Sequence, residues 1–206
     1  MAAPVTRRIK RAIAEGLEPH LFASGYKKTA WNWHAVAGGV IRIVGVQLSS
    51  GTQGECGSFT INVGAYHVAI EARITPKGQR VYDVPWSNEP WPDQGTLSNR
   101  VGMLLPDPVD IWWNVDPETN IEKVATDLST IWTTILQPWM ELASSPRGAL
   151  ARRLEMRNPL AAAAFHLELG ERAEARESVL RAIDSASDWW KANFRSWAVL
   201  EGLMES

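Results

Sequence analysis

Three carboxylates, Asp110, Asp116 and Glu118, stand close together in the chain. Converging carboxylates are the usual oxygen ligands of magnesium, so this trio could serve a small metal-dependent hydrolase or nuclease built on Asp110 and its neighbours. Each also has a plainer use. Asp116 precedes Pro117, the pattern of a helix N-cap followed by a first-turn proline. Glu118 then complements the positive end of that helix, and Asp110 can pair with a cation such as Arg100. The plainer uses account for all three, and catalysis becomes the second reading.

Other reactive side chains form no pattern. His20, His34, His67 and His166 are scattered, with none of the short spacings that ligate zinc. The chain has no Gly-x-Ser-x-Gly elbow and no phosphate-binding or dinucleotide-binding glycine loop. The single cysteine, Cys56, excludes an internal disulfide and a cysteine-based zinc site, and reads as inert. No catalytic residue, metal or cofactor is assigned.

Recognition has better candidates. In Ser58 to Tyr66, the apolar residues Phe59, Ile61, Val63 and Ala65 alternate with Thr60, Asn62 and Gly64, which predicts one buried face and one small, polar face. Further on, Asp110-Ile111-Trp112-Trp113-Asn114-Val115 reads as a strand. Adjacent side chains on a strand point to opposite faces, so Trp112 and Trp113 place one indole on each. Thr60, Asn62, Gln47 and one of these indoles, with Arg100 and Asp110, could form a shallow recognition surface. A second candidate is the proline-rich loop from Asp83 to Asp93, which presents Trp86 and Trp91. Tryptophan is enriched at interface hot spots, and prolines hold such a loop at low entropic cost.

These residues need a frame. From Thr6 to Ser24, Ile9, Ala12, Ile13, Leu17 and Leu21 recur at helical spacing, interrupted at Pro19 and closed by Gly25. Ala30 to Val36, carrying Trp31 and Trp33 on one face, and Val40 to Leu48 form a hairpin about Gly38-Gly39. A Ser/Gly-rich loop leads to the alternating strand at Ser58. His67 to Asn99 is the least regular stretch, with a turn at Pro76-Lys77-Gly78; Asn99 to Leu105 reads as a further strand. From Asp116 the chain turns helical, with an apolar stripe from Ile121 to Leu136 that Pro138 ends or bends. Ser145-Pro146 starts a helix stopping near Asn158-Pro159, Ala161 to Ala186 reads as a helical hairpin about Gly170, and a last helix carries Trp189, Trp190, Phe194, Trp197 and Leu200. Adjacent on a helix, Trp189 and Trp190 diverge by about 100° and cannot both lie at the centre of one narrow stripe.

Bulk composition bounds the function. At 206 residues the chain affords a sizeable core, and a net charge of −2 argues against binding nucleic acid through bulk electrostatics. Its apolar runs are too short to span a bilayer. Eleven tryptophans are the compositional oddity.

Taken in order, Gly25-Tyr26, Gln47, Phe59-Thr60-Ile61-Asn62-Val63-Gly64, Arg100-Val101-Gly102 and Asp110-Ile111-Trp112-Trp113 resemble the uncharacterised bacterial family known as domain of unknown function 4304, over about Ile9 to Leu142. Tyr26 stands where that pattern has phenylalanine. The resemblance implies a helix-plus-antiparallel-sheet domain and no reaction. The C-terminal hairpin is similar to a lone tetratricopeptide unit, with no second copy to build a solenoid.

The expectation is therefore an α+β fold: an antiparallel sheet of about four or five strands flanked by helices over 1–143, with a helical extension, 144–206, packed on it. The expected function is a non-catalytic cytoplasmic protein-interaction or ligand-binding module, of which an immunity or antitoxin-like protein is one form. The candidate site residues are Gln47, Thr60, Asn62, Trp86, Trp91, Arg100, Asp110, Trp112 and Trp113. The expected partner is a protein or small ligand, with no nucleic acid, membrane or cofactor, and self-association through the C-terminal helices.

Overall fold

A computed structural model describes residues 3–75, 90–152 and 155–205. The amphipathic N-terminal stretch forms two helices, α1 (Pro4–Gly16) and α2 (Glu18–Ala23), because Pro19 fits the first turn of a new helix better than the interior of an old one. Gly25, at φ +79°, ends α2: its N–H donates to Phe22 O, and the next N–H, of Tyr26, donates to Leu21 O.

Six strands among the described residues make one antiparallel sheet, β1 (Lys27–Thr29), β2 (Asn32–Ala37), β3 (Val40–Leu48), β4 (Gly57–His67) and β5 (Leu97–Arg100) in that order, with β6 (Trp113–Val115) also pairing with β4. The β2–β3 hairpin turns at Gly38-Gly39, both at positive φ. Three expected strands shift. The one expected over Asp110 to Val115 shrinks to Trp113–Val115, which leaves Trp112 outside the sheet. Ala30 and Trp31 form the β1–β2 turn, with Ala30 at φ +54°, so β2 begins at Asn32. The strand expected over Asn99 to Leu105 is β5, which leaves the sheet at Arg100; Val101–Leu104 is a 3-10 turn.

The register sorts side chains cleanly. Trp33, Val44 and Val63 lie opposite one another on the first face, while Asn32, Gly45, Asn62 and Arg100 do so on the second. The first face carries the main core, where Phe59, Ile61 and Val63 are fully buried with Ile9, Ile13 and Leu17 of the N-terminal helices and Leu128 and Leu136 from the long helix described next.

That long helix corrects the expected cap. Asp116 Oδ1 accepts from Glu118 N at 2.9 Å and from the Thr119 hydroxyl at 2.8 Å, closing a turn of its own. The helix α4 (Ile121–Ile131) is capped instead by Asn120, whose Oδ1 accepts from Lys123 N at 3.0 Å. Pro138 does not end it. One wide turn, the π-helical segment Trp132–Leu136, passes the chain into α5 (Gln137–Ala143) without a carbonyl clashing with the proline ring.

Val68–Ile74 forms α3, a helix inside the stretch read as irregular. The C-terminal helices are α6 (Pro146–Ala151), which stops well short of Asn158, α7 (Ala161–Glu168), α8 (Arg172–Ser185) and α9 (Asp188–Leu200). They join the main core, which runs from Val5 to Leu203. Their seam with α3 and β5 is polar. Arg157 N donates to Thr96 O at 3.2 Å, the Trp197 indole donates to Arg73 O at 2.9 Å, and the Arg157 guanidinium lies 3.8 Å from the buried Glu71 carboxylate. Glu71 Oε1 is buried with no hydrogen-bond partner. Burial pushes the Glu71 carboxyl above its ordinary range, against the opposing pull of the Thr96 hydroxyl and Arg157.

The second sheet face is covered differently. His34 Nε2–H donates to Pro90 O at 2.9 Å, and the chain then turns through Pro92–Gln94 directly over the sheet. A Cβ on Gly64 would stand 2.5 Å from Pro92 O, and one on Gly45 would stand 2.7 Å from Pro92 Cγ. Beyond this turn, Ile41, Ile43 and Tyr66 make a small separate apolar cluster with Val68.

Two stability measurements follow from these contacts. Gly64→Ala should cost about 1–3 kcal/mol in urea denaturation by forcing Pro92 off the sheet, whereas Gly51→Ala, in open space, should change stability by less than about 0.5 kcal/mol. Glu71→Gln should stabilise the protein at neutral pH. A carboxyl whose folded pKa is raised binds its proton more tightly when folded, so wild-type stability falls as pH rises from the unfolded value of about 4.3 through the folded one. The advantage of Gln should therefore vanish below about pH 4; a constant advantage across pH would mean that Glu71 does not titrate as its burial requires.

Candidate functional site

Between β5 and β6 the chain leaves the sheet at Arg100 and returns at Trp113. The neck of this excursion is tied by one charge pair. Arg100 Nη1 donates to both Asp110 oxygens at 2.8 Å, and the Trp112 indole N–H donates to Asp110 Oδ2 at 3.0 Å. The guanidinium carbon lies 5.2 Å from the centre of the Trp112 ring, so the cation is stacked on an indole as well as paired. Just inside the neck, Val109 N–H donates to Gly102 O at 3.1 Å.

The network continues across the sheet. Asn62 lies opposite Arg100 on β5 and opposite Gly45 on β3, next to the Gln47–Thr60 pair. Gln47 Oε1 accepts from Arg100 Nη2 at 3.3 Å and from Asn62 Nδ2 at 3.0 Å. Arg100 and Trp112 together hold the Asp110 carboxyl below the usual carboxylate range, the Arg100 hydrogen bonds first. Asp110 is therefore a fixed anion at neutral pH, which suits a structural partner and not a general acid. Among the described residues, no three His, Cys, Asp or Glu side chains group as a metal site.

Beside this network lies an open-sided cleft of about 310 Å³, lined by Asn62, Ser98, Asn99, Arg100, Met103 and Asp110 and bounded by Pro92 and Asp93 of the turn over the sheet. Met103 lines it directly and is 39% exposed, while Trp91 and Val109, each next in the chain to a lining residue, are 62% and 53% exposed.

Of the residues singled out in the sequence, Gln47, Asn62, Arg100, Asp110 and Trp112 come together here. Trp91 is exposed and precedes the lining residue Pro92, and Trp86 lies outside the described residues, as does the expected turn at 76–78. Thr60 shares the face but is fully buried, with its hydroxyl unpaired. Trp113 belongs to the other side, where its ring stacks on Phe59 with centroids 5.2 Å apart. Met103, Ser98, Asn99 and Asp93 were not anticipated. The Pro106-Asp107-Pro108 turn, which brings Val109 back to Gly102, was an available signal for Met103.

A sheet with one face under helices and the other half-covered by its own loop defines an α+β domain with a surface cleft. The chain belongs to the family described as Domain of unknown function (DUF4304), whose sequence pattern matches residues 17–142 and so takes in every residue of the cleft. No curated protein and no solved structure matches the chain.

An NMR pH titration of Asp110 tests the neck. Its midpoint should lie below about 3.9 in the native protein and return toward that value in Arg100→Ala. A folded pKa that is lowered contributes stability present above the unfolded value and lost as pH falls through the folded one. Asp110→Asn should therefore destabilise at pH 7 and converge on wild type in acid. An ordinary Asp110 midpoint in the native protein would show that the pair does not persist in solution.

Proposed function

We propose that this chain is a non-catalytic protein-interaction module whose recognition surface is the cleft on the second sheet face. One observation carries this reading: a pre-tied polar centre, Arg100–Asp110–Trp112 with Gln47 and Asn62, with exposed Met103 in the cleft lining and exposed Trp91 and Val109 each next in the chain to a lining residue. Tryptophan, methionine and arginine are enriched at protein interfaces, and energetic hot spots favour Trp and Arg. Holding Arg100 by a two-oxygen contact and an indole removes most of the entropy cost of ordering it on binding. A shallow, open cleft also fits a protein surface better than a small molecule, whose sites bury most of the ligand. Neutralising a partner inside the cytoplasm, as an immunity or antitoxin-like protein does, is one form of this role.

Affinity capture from the native organism, comparing wild type with a folded Trp91→Ala/Arg100→Ala double variant, tests the surface. A specific partner should be recovered by wild type and reduced at least about tenfold by the variant, the loss expected from removing one hot-spot residue. Equal recovery by both proteins sinks the assignment of the surface.

A further inference from the structure

The hydrogen-bond network at the cleft decides which chemical groups it leaves outward. Arginine has only donors, so the contact with Arg100 Nη2 fixes Gln47 with its oxygen toward the network. Asn62 reaches that same oxygen and must therefore present its nitrogen to it. Neither amide makes a further hydrogen bond among the described residues. Gln47 thus keeps an NH2 donor, and Asn62 keeps a carbonyl acceptor, on neighbouring strands at the edge of the cleft. An adjacent neutral donor and acceptor match the C=O and N–H of a peptide backbone. They would match a nucleobase edge equally well. The charges decide between them: Asp93 and Asp110 line the cleft, Arg100 is already paired, and the chain carries net −2, so a phosphate-bearing ligand is repelled.

We infer that Gln47 and Asn62 read the C=O and N–H of one residue of an extended, uncharged partner segment, the two groups that such a segment turns to the same side, and that its flanking apolar side chains meet Met103 and Trp91. This rests on the protein-interaction reading above and names what the surface recognises.

Titration of the isotopically labelled full chain with acetyl-Leu-Ser-Leu-N-methylamide, followed by NMR, tests it. The probe should shift the side-chain amide signals of Gln47 and Asn62 and the Trp112 indole signal. An analogue with an ester in place of the amide N–H that Asn62 accepts should bind about tenfold more weakly, as loss of one unreplaced hydrogen bond predicts. Gln47→Glu keeps an oxygen for Arg100 but replaces the outward donor with an acceptor, and should show a similar loss with an unchanged fold by circular dichroism. If the peptide shifts Met103 and Trp91 while amide and ester bind equally, the backbone contact is overturned and the interaction surface stands. Preferential binding of adenosine monophosphate at the same amides overturns both in favour of a nucleotide. Absence of any shift at the cleft overturns the inference, and the capture experiment then judges the surface alone.

Discussion

The seating of Pro92 on two glycines is the constraint from which the rest of the second face follows. Gly45 and Gly64 lie on neighbouring strands, and a methyl group on either would collide with the turn above. With them bare, the 3-10 turn Pro92–Gln94 lies flat on the sheet and covers its middle. A helix, about 10 Å across, would have covered the face from side to side; a single turn does not. The apolar patch of Ile41, Ile43 and Tyr66 is closed off, and the stretch from Asn62 to Trp112 is left open beside the turn.

An open stretch of sheet next to a chain excursion would be poorly ordered without a tie. Arg100 and Asp110 supply it, because they are the residues at which the chain leaves β5 and comes back toward β6. Charge–charge bonds at a half-exposed site are worth little one at a time. Here the cation also stacks on Trp112 and reaches Gln47, so four side chains share one geometry. The same interaction that makes Asp110 unsuitable as an acid makes the surface rigid enough to recognise something. A carboxylate tied in this way is a scaffold part.

Local chemistry made some of this legible. The Gly38-Gly39 hairpin and the alternation of β4 follow from period and turn residues, which act over a few positions; Trp112 parts from Trp113 for another reason, because it lies outside β6 and bonds to Asp110. The Arg100–Asp110 pair was readable from opposite charges flanking a Pro-Asp-Pro turn. Other features depended on distant partners. Asp116 and Asn120 can each cap a helix, and the Thr119 hydroxyl, which bonds to Asp116, leaves the cap to Asn120. Val68–Ile74 has an unremarkable helical pattern, and it is held by β5 and the C-terminal helices through Thr96, Arg157 and Trp197. The bond from Arg100 to Gln47 joins strands that are not neighbours in the chain and exists only once the register of β3, β4 and β5 is set.

The family match separates two kinds of work within the fold. Residues 17–142 hold the whole cleft, its tie and the turn over the sheet. The residues that seal the opposite end of β4, Arg157 near Glu71, Phe165 against His67 and Trp197 on Arg73, lie outside that match. Those helices close over a buried carboxylate and a buried imidazole, which is a costly surface to leave half-satisfied. Arg157 brings a cation to 3.8 Å from the Glu71 carboxylate, and Phe165 packs edge-on against His67, so polar and aromatic groups share the cover. The cleft on the second face lies on the far side of the sheet from the α1–α4 layer and, among the described residues, takes none from the C-terminal helices. The described lining therefore comes from the sheet, its own turn and the excursion closed by the Arg100–Asp110 tie, and the extension meets that frame at Thr96, directly before β5, and at His67, the last residue of β4.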